Sequence, residues 1–345
     1  MNRIELRPYS KIYVICPAYY KTGGTELLHQ YVYVLNKNNY NCTIVYPDAT
    51  KEKNINEAFR KYVKSYMNLS EIIDDENNII IVPEIFTNLL RNYKKLVKVI
   101  WWESVNNYLI CQSIHYNLKK FFDRPKESIF TILRIILKKK IRQLNSLELK
   151  SVNYHFVQSI YARDFLQKNG IIDNVFYVSD YLNDIYLDNA KVKQINVKEN
   201  YVCYNPKKGK RFTKLIINKA KNIKFIPLIN MSNDQVVDTL KHAKVYIDFG
   251  EHPGKDRIPR EAACMHCCVI TNKMGSANFF EDVMINDEFK FTQKRRNIKN
   301  IVFKIDECLK KYESIDYLFD NYRKYILSEK DAFEKDVLST YSFKE

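Results

Sequence analysis

The densest group of chemically able side chains in the 345-residue chain is Asp248-Phe249-Gly250-Glu251-His252-Pro253-Gly254-Lys255-Asp256-Arg257-Ile258-Pro259-Arg260-Glu261-Ala262-Ala263. Two glycines, two prolines, three cations and four carboxylates join a strand-like run to a helical one. Glu261 opens that helix, where a carboxylate can accept two hydroxyls of a ribose. Lys255 and Arg257 are expected to face a diphosphate, for which guanidinium geometry is suited. A second loop, Asn205-Pro206-Lys207-Lys208-Gly209, places Lys207 and Lys208 on a tight turn, a compact point-charge site for phosphate oxygens. A third, Gly23-Gly24, precedes a helix, and bare backbone at a helix N-terminus admits an anion or a sugar. Together the three loops have the makings of a diphosphate cradle.

These loops need elements to position them. Apolar runs at Ile12–Cys16, Cys42–Tyr46, Ile79–Val82, Val97–Trp101 and Tyr154–Val157 read as buried strands, with helical stretches between them such as Thr25–Asn36. A second series follows at Tyr201–Tyr204, Phe225–Leu228, Lys244–Phe249 and Cys268–Thr271. Strands alternating with helices predict parallel sheets covered on both faces. The length suits two domains of about 150 residues. The expected division is an N-terminal Rossmann-like domain over 1–185, a polar linker over 186–200, a second such domain over 201–315, and a helical tail over 316–345.

Missing patterns narrow the chemistry. No G-x-G-x-x-G follows a first strand, no G-x-x-x-x-G-K-[ST] occurs, and no Asp-x-Asp is present. Nicotinamide enzymes, P-loop nucleotidases and sugar transferases that hold a divalent ion on paired aspartates are therefore disfavoured. Cys264, Cys267, Cys268 and nearby histidines form only one spaced pair, short of a structural zinc site, so buried thiols are expected and no metal. His155, inside an apolar run, reads as a core residue. The N-terminal run is short and meets Lys21 and the glycine pair, a strand entering a loop rather than an export signal. The eight cysteines are accordingly expected as reduced thiols in a cytosol.

The net charge is +16. That admits a polyanionic partner, although the abundance of Lys, Asn, Ile and Tyr also fits A/T-rich codon usage. Residues 119–142 carry nine cations against two acids, interleaved with Phe121, Phe122, Ile129, Phe130, Ile132, Leu133, Ile136 and Leu137. This reads as a basic amphipathic segment fit for an anionic membrane surface; the competing reading packs its apolar face on the first domain. No segment approaches the roughly 18 apolar residues that span a bilayer.

The strand and loop at Asp248–Ala263, with Cys268-Val269-Ile270-Thr271 and Gly275-Ser276-Ala277 after it, resemble the donor half of GT-B fold glycosyltransferases. The likeness is to the retaining family 4 group, above all bacterial surface-polysaccharide members. Asn205–Gly209 is similar to that group's lysine-glycine diphosphate loop. Gly23-Gly24-Thr25-Glu26 resembles its first acceptor-side loop, and Phe156-Val157-Gln158-Ser159 the strand and turn before the interdomain crossing.

The resemblance implies two doubly wound domains facing a central cleft, with a nucleotide-diphosphate sugar, UDP-linked, held by Gly23, Gly24, Asn205, Lys207, Lys208, Gly209, Glu251, Gly254, Lys255, Arg257, Glu261, Gly275 and Ser276. Lys208 and Arg257 would offset charge on the leaving diphosphate, with no metal or other cofactor and with retention at the anomeric carbon. Glu103 joins Glu261, Arg257 and Lys208 as a catalytic candidate, and His29, Glu84 and Trp102 are acceptor-side candidates. One departure stands out: the family pairs two glutamates eight positions apart, and Pro253 occupies the first place. Glu251 or backbone amides near Gly254 would take over its role.

The expected acceptor is a growing capsular, lipopolysaccharide or lipid-linked glycan, and the expected location cytoplasmic and peripheral on the inner face of the cell membrane. A nucleotide-sugar epimerase of the same fold is the competing enzyme. A basic nucleic-acid-binding protein is the competing non-enzyme; no recognised nucleic-acid module supports it, so nucleic acid is not an expected partner.

Overall fold

The computed structural model describes residues 3–47, 56–120, 125–137, 143–191 and 197–344. The chain divides into two compact units, Met1–Asp180 with Asp331–Glu345, and Tyr181–Lys330.

The first unit contains β1 (Ile4–Leu6), β2 (Ile12–Ile15), β3 (Cys42–Val45), β4 (Tyr66–Met67), β5 (Ile79–Pro83), β6 (Val97–Trp102), β7 (Tyr154–Val157) and β8 (Val175–Tyr177). Its helices are α1 (Gly23–Lys37), α2 (Val105–Gln112), α3 (Ile114–Lys120), α4 (Pro125–Ile136), α5 (Ser146–Lys150) and α6 (Ile160–Lys168). Strands β2 to β8 form one parallel sheet in the order β4-β3-β2-β5-β6-β7-β8. All five residues of β5 are buried, the unbroken apolar pattern of a strand covered on both faces. Helix α1 starts on a capping box, Thr22 with Thr25, and buries Leu27, Leu28, Tyr31, Val32 and Leu35. Each such side chain contributes roughly 1.5–3 kcal/mol by leaving water.

The second unit contains β9 (Glu199–Tyr204), β10 (Lys224–Pro227), β11 (Ala243–Asp248), β12 (Cys268–Asn272) and β13 (Lys290–Phe291). They form a parallel sheet in the order β10-β9-β11-β12-β13. Its helices include α7 (Asp184–Lys191), α8 (Lys210–Lys219), α9 (Asn233–His242), α10 (Arg257–Cys264) and α11 (Ile298–Lys310). Helix α7 begins two residues before the stretch expected as linker, 186–200, and runs into it; residues 192–196 of that stretch are outside the described residues.

Helix α12 (Asp320–Ser339) continues into β14 (Tyr341–Phe343), which pairs in parallel with β1. Tyr31 and Tyr341 hydrogen-bond through their hydroxyls beneath this pairing.

In each sheet the winding reverses once: between β2 and β5 in the first unit, and between β9 and β11 in the second. At such a reversal the loops at the strand C-termini part and leave a crevice. Gly23-Gly24 follows β2, Glu84 follows β5 and Glu103 follows β6. Asn205–Gly209 follows β9, and the charged loop follows β11.

Candidate functional site

The second unit interlocks the loops after β9, β11 and β12. Gly209 stands at the N-cap of α8 with φ +56°, and a Cβ there would collide with the Phe249 backbone carbonyl. Only a bare, left-handed residue fits. Asn205 Oδ1 accepts from the Lys207 amide at 3.0 Å, closing the turn and leaving Lys207 exposed. From the β12 side, Asn272 Nδ2 donates to the Gly250 carbonyl at 2.6 Å. Ser276 Oγ donates to the Gly254 carbonyl at 2.5 Å, and the Ser276 amide to the His252 carbonyl at 2.9 Å. Gly275, also at positive φ, packs against that same His252 carbonyl. Gln293 Nε2 adds a bond to the Phe249 carbonyl at 3.2 Å.

On this frame Lys208 Nζ reaches Asp256 Oδ1 at 2.7 Å. His252, fully buried, lies between two carboxylates: Nδ1 is 2.9 Å from Asp256 Oδ2 and Nε2 is 4.0 Å from Asp248 Oδ1. Burial alone would lower the His252 pKa; the facing Asp248 and Asp256 outweigh it and raise it. Burial would raise the Asp256 pKa, but Lys208 and His252 hold it down at about 2. Asp248 is fixed by the Tyr246 hydroxyl at 3.0 Å and the Gly250 amide at 2.9 Å.

Two carboxylates thus meet a lysine and an imidazole whose protonated form they favour. The three side chains Asp248, His252 and Asp256 bring ligand atoms within 4.8 Å of one another. Lys208 already pairs with Asp256 inside this group, so a metal ion there would compete with that ion pair.

Helices α8 and α10 both start next to this cluster, and neither N-cap residue, Gly209 or Asp256, makes a side-chain capping bond. Their first amides carry the positive end of the helix dipole. Arg257 and Glu261 project from the first turns of α10. The hydroxyl of Tyr186, on α7, hydrogen-bonds Glu261 with Arg257 nearby. Burial, then Glu261, raises the Tyr186 pKa, and Arg257 opposes the rise. Glu251 is half-buried on the same loop.

The structure corrects the expectation for Lys255. It is buried, in an ion pair with Glu329 and a 2.7 Å hydrogen bond to the Tyr325 hydroxyl, both on α12. Arg260 joins the same group: Nη1 meets Glu329 Oε2 at 2.8 Å, and Nη2 donates to the Lys255 carbonyl at 2.9 Å. These two cations clamp the loop to α12. The reason is the buried Glu329, whose charge requires close counter-ions.

In the first unit, Gly24 lies against the Glu103 carboxylate, which would have to shift to admit a Cβ there. Glu84, buried at the end of β5, accepts from the Glu103 amide at 3.1 Å and from Asn107 Nδ2 at 3.3 Å. Burial pushes its pKa up to about 7, against the pull of these bonds, which makes it able to exchange a proton near neutrality.

His29 and Trp102 do not fit an acceptor-side role. His29 is fully buried, stacked on Phe59 at 3.9 Å, with Nδ1 donating to the Thr25 carbonyl at 2.5 Å and Nε2 accepting from the Tyr46 hydroxyl at 2.6 Å. Burial holds its pKa down at about 4. Trp102 is a core residue whose Nε1 donates to His155 Nδ1 at 3.1 Å. Trp102 ends the buried half of strand β6, and His29 lies among the buried residues of α1.

Tyr186, Asp256, His252 and Gln293 were not singled out as site residues by sequence. Tyr186 sits in a polar stretch without motif, and only its place across from α10 marks it. The cysteines are free and, apart from the half-buried Cys111, buried.

No protein-family model matches the chain, and no curated protein matches it by sequence. Solved structures do match in shape. TarM aligns with a TM-score of 0.58 at 10% identity, covering 97% of this chain and 97% of that one. HepE of Anabaena, in complex with UDP-glucose, aligns at 0.57 and 10% identity over 96% and 99%. Sucrose-phosphate synthase from Thermosynechococcus elongatus aligns at 0.56 and 9% identity over 96% and 97%. Against a longer TarM chain from S. aureus, this chain spans 56% of the length. The two parallel α/β units, their helical C-terminus and these likenesses show the GT-B fold.

Proposed function

We propose that the chain is a glycosyltransferase that takes a sugar from a nucleotide diphosphate, UDP-linked, held by the loops after β9, β11 and β12. The observation that carries this reading is Lys208 seated on Asp256, the residue before Arg257, beside the starts of two helices that lack a side-chain cap, at the winding reversal of the second sheet. Positive dipole ends and a lysine beside bare backbone suit a diphosphate. Glu261, held by Tyr186, suits ribose hydroxyls. HepE, which has the same fold, is in complex with UDP-glucose, and its ligand class is the one carried over here.

In the mechanism, Lys208 and Arg257 stabilise the charge that grows on the leaving diphosphate. Lys208 already has Asp256 to fix its position, so little reorganisation is needed. The fixed cations make a metal unnecessary, and the sugar is transferred with retention, as in the family 4 enzymes the sequence resembles. Glu84 and Glu103 are the acceptor-side groups. The acceptor is a surface polysaccharide or lipid-linked glycan, and the enzyme works peripherally on the inner membrane face.

Thermal-shift measurements against a panel of nucleotide-diphosphate sugars, with chelator present, test the reading. Uridine compounds are expected to stabilise the protein equally with and without chelator; strict dependence on a divalent ion contradicts the metal-free mechanism. Glu261→Ala is expected to abolish turnover, with release of free nucleotide and a new glycoside as the wild-type readout. An isomerised nucleotide sugar instead would identify the epimerase.

A further inference from the structure

Helix α4 turns its apolar side outward. Ile129, Phe130, Leu133, Ile136 and Leu137 are each between 48% and 60% exposed. Their spacing, i, i+1, i+4, i+7 and i+8, puts all five on one stripe. On the opposite side Ser128 and Ile135 are buried, so the helix packs on its unit through that narrower face. Two more exposed apolar residues, Ile114 and Leu118, lie one turn apart on the neighbouring α3. An ordinary surface helix has the reverse arrangement, and an apolar face this size on a protein surface marks a contact.

Sequence charge identifies the contact. Lys119 and Lys126 are exposed among the described residues. The sequence from 119 to 142 carries nine cations against two acids; residues 121–124 and 138–142 lie outside the described residues. A protein partner with an apolar groove would account for the stripe but not for the cations. An anionic lipid surface accounts for both, since headgroups attract lysines while the acyl boundary takes up Ile, Leu and Phe.

We propose that α4 docks flat on an anionic bilayer, its Ile129–Leu137 stripe seated at the headgroup boundary. No described helix is long and apolar enough to cross a membrane, so the contact is interfacial. This deepens the peripheral-membrane part of the proposed function but rests on its own observation, the outward stripe.

The test is co-sedimentation of the full chain with vesicles of phosphatidylcholine alone and of phosphatidylcholine mixed with phosphatidylglycerol. Binding is expected only to the mixed vesicles, weakening as salt rises. The double variant Leu133→Glu, Ile136→Glu is expected to bind about tenfold more weakly or worse. Both positions are exposed, and uridine-nucleotide stabilisation of the same variant should be unchanged, which keeps failure of docking distinct from failure of the donor reading. Failure to sediment with anionic vesicles would overturn the proposal. So would undiminished binding by the variant, or a wild-type dimer in light scattering that the variant abolishes without any vesicle binding.

Discussion

Lys255 and Lys208 lie 47 positions apart in sequence and end in different jobs. Lys208 stays at the crevice with Asp256 as anchor; Lys255 disappears under α12 to neutralise Glu329. Nothing local separates them. Which cation of a loop turns inward is decided by a carboxylate far along the chain, and sequence spacing carries no trace of it. His252 is the contrast: its ion contacts, Asp248 at the strand end and Asp256 at the helix N-cap, each lie four positions away on the same loop.

The raised His252 pKa fixes a sign. A histidine whose folded pKa lies above its unfolded value of about 6.5 contributes stability that is fully present below that value. The contribution is lost as pH rises through the folded pKa. Asp256, depressed to about 2, contributes above its unfolded value and loses the contribution only as pH falls through about 2. His252→Gln should therefore lower stability by roughly 1–3 kcal/mol near pH 5. The gap to wild type should narrow as the pH passes the folded histidine pKa, read from melting curves across pH. A gap that widened with rising pH would mean the imidazole is neutral in the folded protein.

At the scale of elements, the strands were readable because interior parallel strands are unbroken apolar runs; Tyr154–Val157 begins and ends where the run does. The loops after β9 and β11 were readable because glycine is scarce in this chain, with seven in all, and Gly209 sits where only glycine fits. Short edge elements were not readable. β1 and β14 are three residues each and find one another across nearly the whole chain, and α7 lies in a polar stretch whose periodicity is weak. The clamp of the β11–α10 loop to α12 belongs to this scale too. Glu329→Ala leaves Lys255 and Arg260 buried without their counter-ion and should cost about 3–5 kcal/mol. The predicted midpoint shift in urea is measured against Lys330→Ala, an exposed neighbour expected to be near neutral.

For the whole molecule, alternation of strands and helices was enough to anticipate two parallel-sheet units, while the GT-B fold was anticipated from the resemblance carried by Asp248–Ala263 and the loops around it. Both sheets reverse their winding where the loops richest in glycine, lysine and carboxylate emerge, which is why residue type and topology point to the same place. The first unit keeps Glu84 and Glu103 at its reversal; the second keeps Lys208, Asp256, Arg257 and Glu261 at its own. His29 and Trp102 were misplaced because strand and helix periodicity tells which residues are apolar, not which polar ones are drawn into the core by a hydrogen-bond partner such as Tyr46 or His155.

The second unit is expected to bind a nucleotide through its diphosphate. Titration calorimetry with UDP, UMP and uridine on the wild type and on Lys208→Ala addresses it directly. UDP is expected to bind wild type at least tenfold more tightly than UMP, and Lys208→Ala to remove most of that advantage while the protein stays folded. Equal affinities for UDP and uridine, or an advantage untouched by the substitution, would contradict it.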